Sequence, residues 1–195
     1  MTFTKTISWF EKVWPRDLIS IVQEMFRPER FLAVKVDSPW GHIEALSAHI
    51  RPASSHKPAT NPSGWIKVYM IEALYQRLAH KSPSARIFCG DFNTPKEEMA
   101  EGQCRTWATL TKNGSFTLQR GYDSRLWDEA ERRLISGLAN FDLSDTYRSV
   151  NGWKNVTDFS YYARGNARRY DHIFASQSLC VAKCGYLHSL REAKI

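Results

Sequence analysis

The sequence predicts an α/β fold, in which the strands of a sheet alternate with amphipathic helices. Strand, hairpin, loop, helix and strand follow one another between residues 31 and 91, and this order carries the prediction. A second observation is the period-two alternation of side chains across residues 170–175, which is typical of a β-strand. With 195 residues, the chain has the length of one domain with a sizeable core.

Hydrophobic patterning places the elements of this unit. Phe31–Asp37 is predicted to be a strand, Ser38–Gly41 a turn, and His42–His49 the antiparallel partner strand. The short apolar run Ile87–Cys89 predicts a buried strand. An amphipathic helix is predicted from Ile66 to His80, because its apolar side chains share one face. These side chains are Val68, Ile71, Leu74, Tyr75 and Leu78.

Two polar side chains follow the buried strand and suggest chemistry. Asp91 and Asn93 are two residues apart, so on an extended backbone both leave the same face. There the carboxylate could take a proton from a water and the carboxamide could stabilise charge developing on a phosphoryl oxygen. The alternative is an Asx-type turn in which both side chains serve only the backbone. The residues alone leave both interpretations open.

A second polar stretch lies late in the chain. Within the predicted strand, Tyr170, His172 and Phe174 share one face, while Asp171, Ile173 and Ala175 share the other. An aspartate on an apolar strand face is costly unless something pairs with it, so Asp171 is expected to have a partner. His172 lies on the opposite face and is interpreted as structural.

Four stretches resemble the endonuclease/exonuclease/phosphatase superfamily and occur along the chain in that family's order. The superfamily includes exonuclease III, abasic-site endonucleases and DNase I. Gly90–Pro95 resembles its G-D-[FL]-N signature, and His49–Pro52 a strand end of the type H-x-x-P. Asp142–Arg148 resembles the element D-x-[FYW]-R, and Thr157–Ser176 a late pair of strands. The resemblance covers about residues 31–195 and implies part of a four-layer α/β/β/α sandwich of the DNase I-like type.

The resemblance also implies roles for the site residues. Asp91 would align the attacking water, Asn93 and His49 would contact the scissile phosphate, and Asp171 would orient a histidine near the C-terminus. A Mg²⁺ or Mn²⁺ ion would polarise the phosphodiester, with Asp91 and Asn93 contributing ligands. Asp145 and Arg148 would brace the loops on the substrate side.

The sequence departs from the family pattern at both ends. Residues 1–30 are predicted to be a helical segment, so Glu24 is interpreted as a helix residue and not as the principal metal ligand. The family's S-D-H motif would begin just beyond Ile195, and the spacing of His188 does not support it as a substitute. The sequence is therefore expected to be the middle and late part of a larger domain. A non-catalytic fragment is the competing hypothesis.

Composition points to the partner and the compartment. A net charge of +7 favours acidic partners such as nucleic acid, and Tyr161 and Arg168 are predicted to bind it by stacking and by backbone contact. A phosphatase acting on inositol or lipid phosphates, or on another phosphorylated small molecule, stays open because the reaction centre is shared. The 4 cysteines form no disulfide framework, and no apolar run has the length of a membrane span, so a cytoplasmic location is expected.

Overall fold

The computed structural model describes residues 30–52, 63–108, 124–154 and 158–189, apart from the side chains of residues 63–65. The predicted N-terminal helical segment, with Glu24, lies outside the described residues except for residue 30. Residues 190–195, after which the S-D-H motif was expected, lie outside the described residues as well. The division of the chain at residue 30 therefore stays a prediction.

The fold is α/β and centres on a five-stranded mixed sheet. Its strands are β1 (Phe31–Ser38), β2 (Gly41–His49), β3 (Ala85–Asp91), β6 (Ser144–Asp145) and β9 (Asp171–Ala175). They lie in the order β1-β2-β3-β9-β6. Strands β2 and β3 are parallel, whereas the other neighbouring pairs are antiparallel. The sheet therefore carries a parallel βαβ unit with antiparallel strands added on both sides.

Two short antiparallel pairs stand apart from this sheet. One joins β4 (Glu97–Glu98) to β5 (Cys104–Arg105), directly after the polar turn that follows β3. The other joins β7 (Tyr161–Ala163) to β8 (Asn166–Arg168), just before β9. Both pairs flank the residues that the sequence singles out.

The helical elements are three α-helices and one 3₁₀ helix within the described ranges. Helix α1 (Ser63–Leu78) connects β2 to β3, and α2 (Ser124–Ile135) leads into the 3₁₀ helix Gly137–Phe141. Helix α3 (Thr146–Asn151) follows β6. Among these residues, no helix combines the length and the apolar character that crossing a bilayer requires.

The core lies between one face of the sheet and helices α1 and α2. Leu46, Phe88 and Phe174 come from three neighbouring strands and are at most 2% exposed. Phe88 stacks on Phe92 with ring centroids 4.9 Å apart, and Phe92 stacks on His172 at 5.7 Å. This packing forms one helix layer on one sheet layer. Outside the five-stranded sheet, the described strands form only the two short pairs, so the second large sheet layer of the expected sandwich is not among the described residues.

The predicted elements are confirmed with shifted ends. The hairpin forms, but Ser38 pairs with Gly41, so its connection is two residues long and not four. Helix α1 begins three residues before and ends two residues before the prediction, and it buries the predicted apolar stripe. On β9, His172 and Phe174 are buried whereas Asp171 and Ile173 are exposed, as the period-two pattern indicates.

Candidate active site

Three of the four predicted catalytic residues form one row across the centre of the sheet. His49 on β2 is the register partner of Asp91 on the parallel strand β3. Asp91 is in turn the register partner of Asp171 on the antiparallel strand β9. Side chains of residues that pair directly across neighbouring strands point to the same face of a sheet. Strand register thus brings together residues that are up to 122 positions apart in the chain.

Asp91 stands at the centre of this row. Its Oδ1 accepts a hydrogen bond from the backbone N–H of Asn93 at 3.0 Å, and its Oδ2 lies 3.9 Å from Nε2 of His49. Burial raises the pKa of the Asp91 carboxyl above its ordinary value, and the neighbouring Asp171 carboxylate raises it further. The hydrogen bond from Asn93 and the proximity of His49 oppose this rise without cancelling it. A carboxylate with a raised pKa is better suited to accept a proton.

Gly90 allows the strands to approach closely at this point. A Cβ built on Gly90 would lie 1.8 Å from the carbonyl oxygen of Ala48, well inside van der Waals contact. The φ angle of Gly90 is +152°, in a region that L side chains rarely adopt. No other residue type therefore fits immediately before Asp91 while the β2–β3 register is kept.

Asn93 lies in a turn and not on an extended backbone. Its φ angle is +50°, and its backbone N–H donates to the side chain of Asp91. Its Nδ2 donates to the carbonyl oxygen of Ile50 at 2.9 Å. The Asx-type turn is therefore present, and the expectation that Asp91 and Asn93 leave one extended face is wrong. A contact of Asn93 with substrate or metal stays a prediction.

His49 is held in one orientation by Arg30, which sequence reasoning did not select. Nη1 of Arg30 lies 3.2 Å from Nδ1 of His49, and the backbone N–H of His49 donates to the Arg30 carbonyl oxygen at 2.8 Å. A guanidinium group can only donate, so Nδ1 must accept. The ring proton is thereby assigned to Nε2, on the side of Asp91. His49 can then donate that proton to an oxygen bound in the row.

Asp171 is exposed, so the expectation that it lies on a buried apolar face is wrong. Its backbone is fixed, since its N–H donates to Oγ of Ser160 at 2.9 Å and its carbonyl oxygen accepts from the hydroxyl of Tyr186 at 2.5 Å. Within the described ranges, no histidine side chain lies within 4.0 Å of its carboxylate. His188 pairs instead with Asp158, at 3.0 Å. A role of Asp171 in orienting a histidine therefore stays a prediction.

The row offers an incomplete set of metal ligands. Among the residues that the structure describes, no three His, Cys, Asp or Glu side chains come close enough to share a metal ion. Asp91 and Asp171 nevertheless place two carboxylates side by side. Magnesium is usually bound through one or two carboxylates, with waters and substrate phosphates completing its shell. The pair fits this mode of binding.

The two predicted substrate-binding residues face each other across a hairpin. Tyr161 on β7 is the register partner of Arg168 on β8, three residues before Asp171. Tyr161 stacks on Tyr170 at 5.2 Å and is 46% exposed. The Arg168 guanidinium lies 5.1 Å from the ring centroid of Trp107. An aromatic face and a cation therefore adjoin the row at the Asp171 end.

A buried ion network supports the opposite face of β9. Arg169 donates to Glu98 at 2.8 Å and pairs with Asp145, while Arg148 donates to the same Glu98 at 2.7 Å. Nδ1 of His172 lies 3.2 Å from Asp145 Oδ2. Asp145 also caps helix α3, because its side chain accepts a hydrogen bond from the Arg148 N–H. Arg148 is buried. The expected role of Asp145 and Arg148 in bracing loops on the substrate side stays a prediction.

The buried pair Lys67 and Glu131 was also missed, although the sequence contained a signal for it. Lys67 shares the helical stripe of Ile71 and Leu74, and Glu131 shares that of Leu134 on α2. A charged residue on an apolar stripe indicates a buried pair. Nζ of Lys67 donates to Oε1 of Glu131 at 2.6 Å, and both side chains are at most 1% exposed.

Comparisons with known proteins find similarity of structure only. No family model matches the chain, and no curated protein matches it at the required significance. An endonuclease/exonuclease/phosphatase from Beutenbergia cavernae is 18% identical with a TM-score of 0.40, over 80% of this chain and 35% of that one. A β-hairpin deletion mutant of β-toxin from Staphylococcus aureus is 14% identical with a TM-score of 0.38, over 76% and 44%.

A third solved structure is a mannosyl-6-phosphatase from Bacteroides thetaiotaomicron. It is 13% identical with a TM-score of 0.33, over 70% of this chain and 38% of that one. This chain therefore spans less than half the length of each of the three proteins. At these identities and TM-scores the likeness does not bear on activity, for which the side chains of the row are the relevant observation.

Proposed function

We propose that this chain carries a phosphodiester-cleaving site of a magnesium-dependent hydrolase of the endonuclease/exonuclease/phosphatase type, acting on nucleic acid. The observation that carries the proposal is the row of His49, Asp91 and Asp171, which three neighbouring strands present on one face. The signature that follows Gly90 supports the same chemistry. For the whole protein, we likewise propose nucleic acid as the substrate and partner.

The side chains of the row divide the work of hydrolysis. Asp91 accepts a proton from the attacking water, for which its raised pKa suits it. His49 donates from Nε2 to a phosphate oxygen, in the orientation that Arg30 fixes. The Asp91 and Asp171 carboxylates would hold a Mg²⁺ or Mn²⁺ ion, which would supply charge stabilisation for the leaving oxygen. Asn93 holds the turn that fixes Asp91.

Nucleic acid is the proposed substrate because aromatic and cationic side chains lie beside the row. The net charge of +7 favours a polyanion, and the Tyr161–Arg168 pair offers a stacking face beside a cation. Trp107, which is 36% exposed and lies against Arg168, extends this aromatic surface. We also propose a cytoplasmic location, which the free thiols of all 4 cysteines support.

The test is hydrolysis by the purified full chain, with and without Mg²⁺, of three substrates. These are bis-p-nitrophenyl phosphate, duplex DNA carrying an abasic site, and an inositol polyphosphate. We expect metal-dependent cleavage of the diester and of the DNA. We expect Asp91→Ala to lower the rate by ~10²–10⁴-fold, the typical contribution of a general base.

The outcomes separate the alternatives. Preference for the inositol polyphosphate would replace the nuclease by a phosphatase with the same reaction centre. Absence of hydrolysis by a folded chain would favour the non-catalytic fragment. Activity that survives Asp91→Ala would place the chemistry outside the row.

A further inference from the structure

Lys67 is a cation buried in the interior of the fold. It lies on helix α1 with its side chain 1% exposed, among the largest fully buried side chains of the described residues. A buried ammonium group is costly unless it is paired and hydrogen-bonded. Replacing a buried ion pair by apolar side chains is often neutral or stabilising, so the pair by itself does not explain why the fold holds a charge here.

The ammonium group makes two contacts of different kinds. One is the pair with Glu131 on α2, at 2.6 Å. The other is a hydrogen bond that Nζ donates to the backbone carbonyl oxygen of Asn93, at 2.9 Å. Burial lowers the pKa of Lys67, while Glu131 and Asp91 oppose this by favouring the charged form. The charged form of Lys67 is therefore stabilised by the Asp91 carboxylate as well as by Glu131.

Lys67 completes the fixation of the Asn93 turn. The backbone N–H of Asn93 is held by Asp91, its Nδ2 by the Ile50 carbonyl, and its carbonyl oxygen by Lys67. Three separate parts of the fold thus hold a single residue whose φ angle is +50°. The Asn93 carbonyl belongs to the peptide between Asn93 and Thr94. Without the third contact this peptide could rotate and release Asn93 from its φ angle of +50°, and the Asn93 N–H would then lose its fixed position against the Asp91 carboxylate.

Glu131 links Lys67 to two tryptophan residues. Its Oε2 accepts from the backbone N–H of Trp107 at 2.8 Å, and its Oε1 accepts from Nε1 of Trp127 at 2.8 Å. Trp107 is the residue whose ring lies against Arg168. The pair therefore joins the turn beside the row to the aromatic segment beside Arg168.

We propose that Lys67 is a positioning residue, which holds the Asp91–Asn93 turn in place through the Asn93 carbonyl while Glu131 holds Lys67. The proposal rests on the proposed function for its effect on rate, but the geometry of the turn can be measured without activity. Lys67 touches no substrate in this scheme. It acts through Asn93 on the orientation of Asp91.

The test compares two paired substitutions in the full chain. Lys67→Met/Glu131→Gln removes both buried charges, so no unpaired ion is left, and the amide oxygen of Gln can still accept a hydrogen bond. The control is Glu72→Gln/Arg133→Met, which removes an exposed pair between the same two helices, with nitrogen and oxygen 3.1 Å apart. We expect the first double variant to lower kcat for bis-p-nitrophenyl phosphate by about 10²-fold, the typical effect of a small misplacement, with KM little changed. The control should keep the wild-type kcat.

A second measurement keeps the positioning role separate from the proposed function. The backbone amide shift of Asn93, whose N–H donates to Asp91, reports the turn directly in an NMR spectrum. In Lys67→Met/Glu131→Gln we expect the Asn93 amide signal to shift, because the hydrogen bond between Asn93 and Asp91 loosens. If the wild-type chain is inactive, the proposed function fails and this measurement alone decides the positioning role.

An unchanged Asn93 amide signal in the double variant would overturn the proposal, whatever happens to kcat. If that variant does not fold, Lys67→Arg makes the same comparison. It keeps a charge for Glu131 but changes the donor geometry at Asn93. The Asn93 amide shift should then appear with a smaller loss of kcat, and an unchanged shift would again overturn the proposal.

Discussion

At the scale of single residues, the central feature is Asp91, whose surroundings disfavour the charged form of its carboxyl group. Asp91 is partly buried beside Asp171, and both conditions disfavour its charged form. Functional sites commonly keep such groups because the chemistry needs a perturbed pKa. The row should therefore cost stability where it serves catalysis.

Asp91→Asn is expected to abolish hydrolysis while leaving stability at neutral pH equal to or above that of the wild type. The folded-state pKa of Asp91 is raised, so wild-type stability falls as pH rises through the window above the unfolded value of about 3.9. The gain from Asn should thus vanish at a pH low enough to protonate Asp91 in both states. Urea unfolding at pH 7 and pH 3 measures this difference. A variant less stable than the wild type at both pH values would contradict the expectation.

The pH dependence of the rate follows from the same shift. If Asp91 accepts the proton of the attacking water, kcat/KM falls as pH is lowered through the pKa of Asp91. Because burial raises that pKa, the acid limb should begin at a higher pH than it would for an ordinary aspartate. A pH–rate profile with bis-p-nitrophenyl phosphate measures the limb. A rate that stays constant down to pH 4 would exclude Asp91 as the base.

Gly90→Ala tests the steric argument beside Asp91. The added methyl group would meet the Ala48 carbonyl, so the two central strands must separate, and we expect a loss of about 3 kcal/mol or more in unfolding free energy. Gly185→Ala is the control, because a Cβ added there would meet nothing within 4 Å and its φ is ordinary. Urea unfolding compares the two variants. Equal stability of both would show that β2 and β3 can relax around the methyl group.

At the scale of elements, the ion network ties β4, α3 and the segment between β8 and β9 together through Glu98. Burial alone would raise the pKa of Glu98, but its hydrogen bonds with Arg169 and Arg148 lower it below the ordinary value. The pKa of Asp145 is lowered as well, since its contacts with His172 and Arg169 outweigh its burial. Salt bridges between side chains that are ionised at neutral pH therefore hold these three parts of the chain together.

Glu98→Gln is expected to destabilise the fold by about 3–5 kcal/mol at pH 7, the cost of breaking a buried pair. A depressed folded-state pKa gives stability that is present above the unfolded value of about 4.3 and is lost as pH falls through the folded value. The difference from the wild type should therefore shrink below about pH 4. Glu97→Gln is the control, because its pair with Arg105 is more than half exposed on both sides. An equal effect of both variants would contradict the role of burial.

Elements with a local signal could be predicted, and their mutual placement could not. The hairpin, helix α1 and strand β9 each follow from a hydrophobic period within one segment. The row depends instead on the register between β2, β3 and β9, which hydrogen bonds across distant segments decide. His49, Asp91 and Asp171 were selected by resemblance, and only the structure shows them adjacent. Lys67 was missed because charged helix residues are ordinarily solvent-facing.

At the scale of the whole molecule, the two faces of the sheet differ. One face packs against α1 and α2, whereas the other carries the row and exposes apolar side chains. Leu32 and Val36 on β1 and Ile173 on β9 are 45–50% exposed, and strand alternation places them on the face of the row. Among the described residues β1 is also one of the two edge strands of the sheet, with β6 at the other edge. An exposed apolar edge strand is a template for pairing with another chain.

The chain is therefore expected to self-associate through β1, and Leu32→Lys/Val36→Lys should reduce this association. Lysine on an edge strand adds a charge that a second copy would have to bury, which natural sheets use to block edge pairing. Leu187→Lys is the matched control, since Leu187 is 73% exposed but lies outside the sheet. Sedimentation velocity over a tenfold range of concentration measures the associated fraction. Equal association in the two variants would show that β1 is not the contact. A loss of association only in the β1 variant would assign it to this edge and leave the row free on each copy.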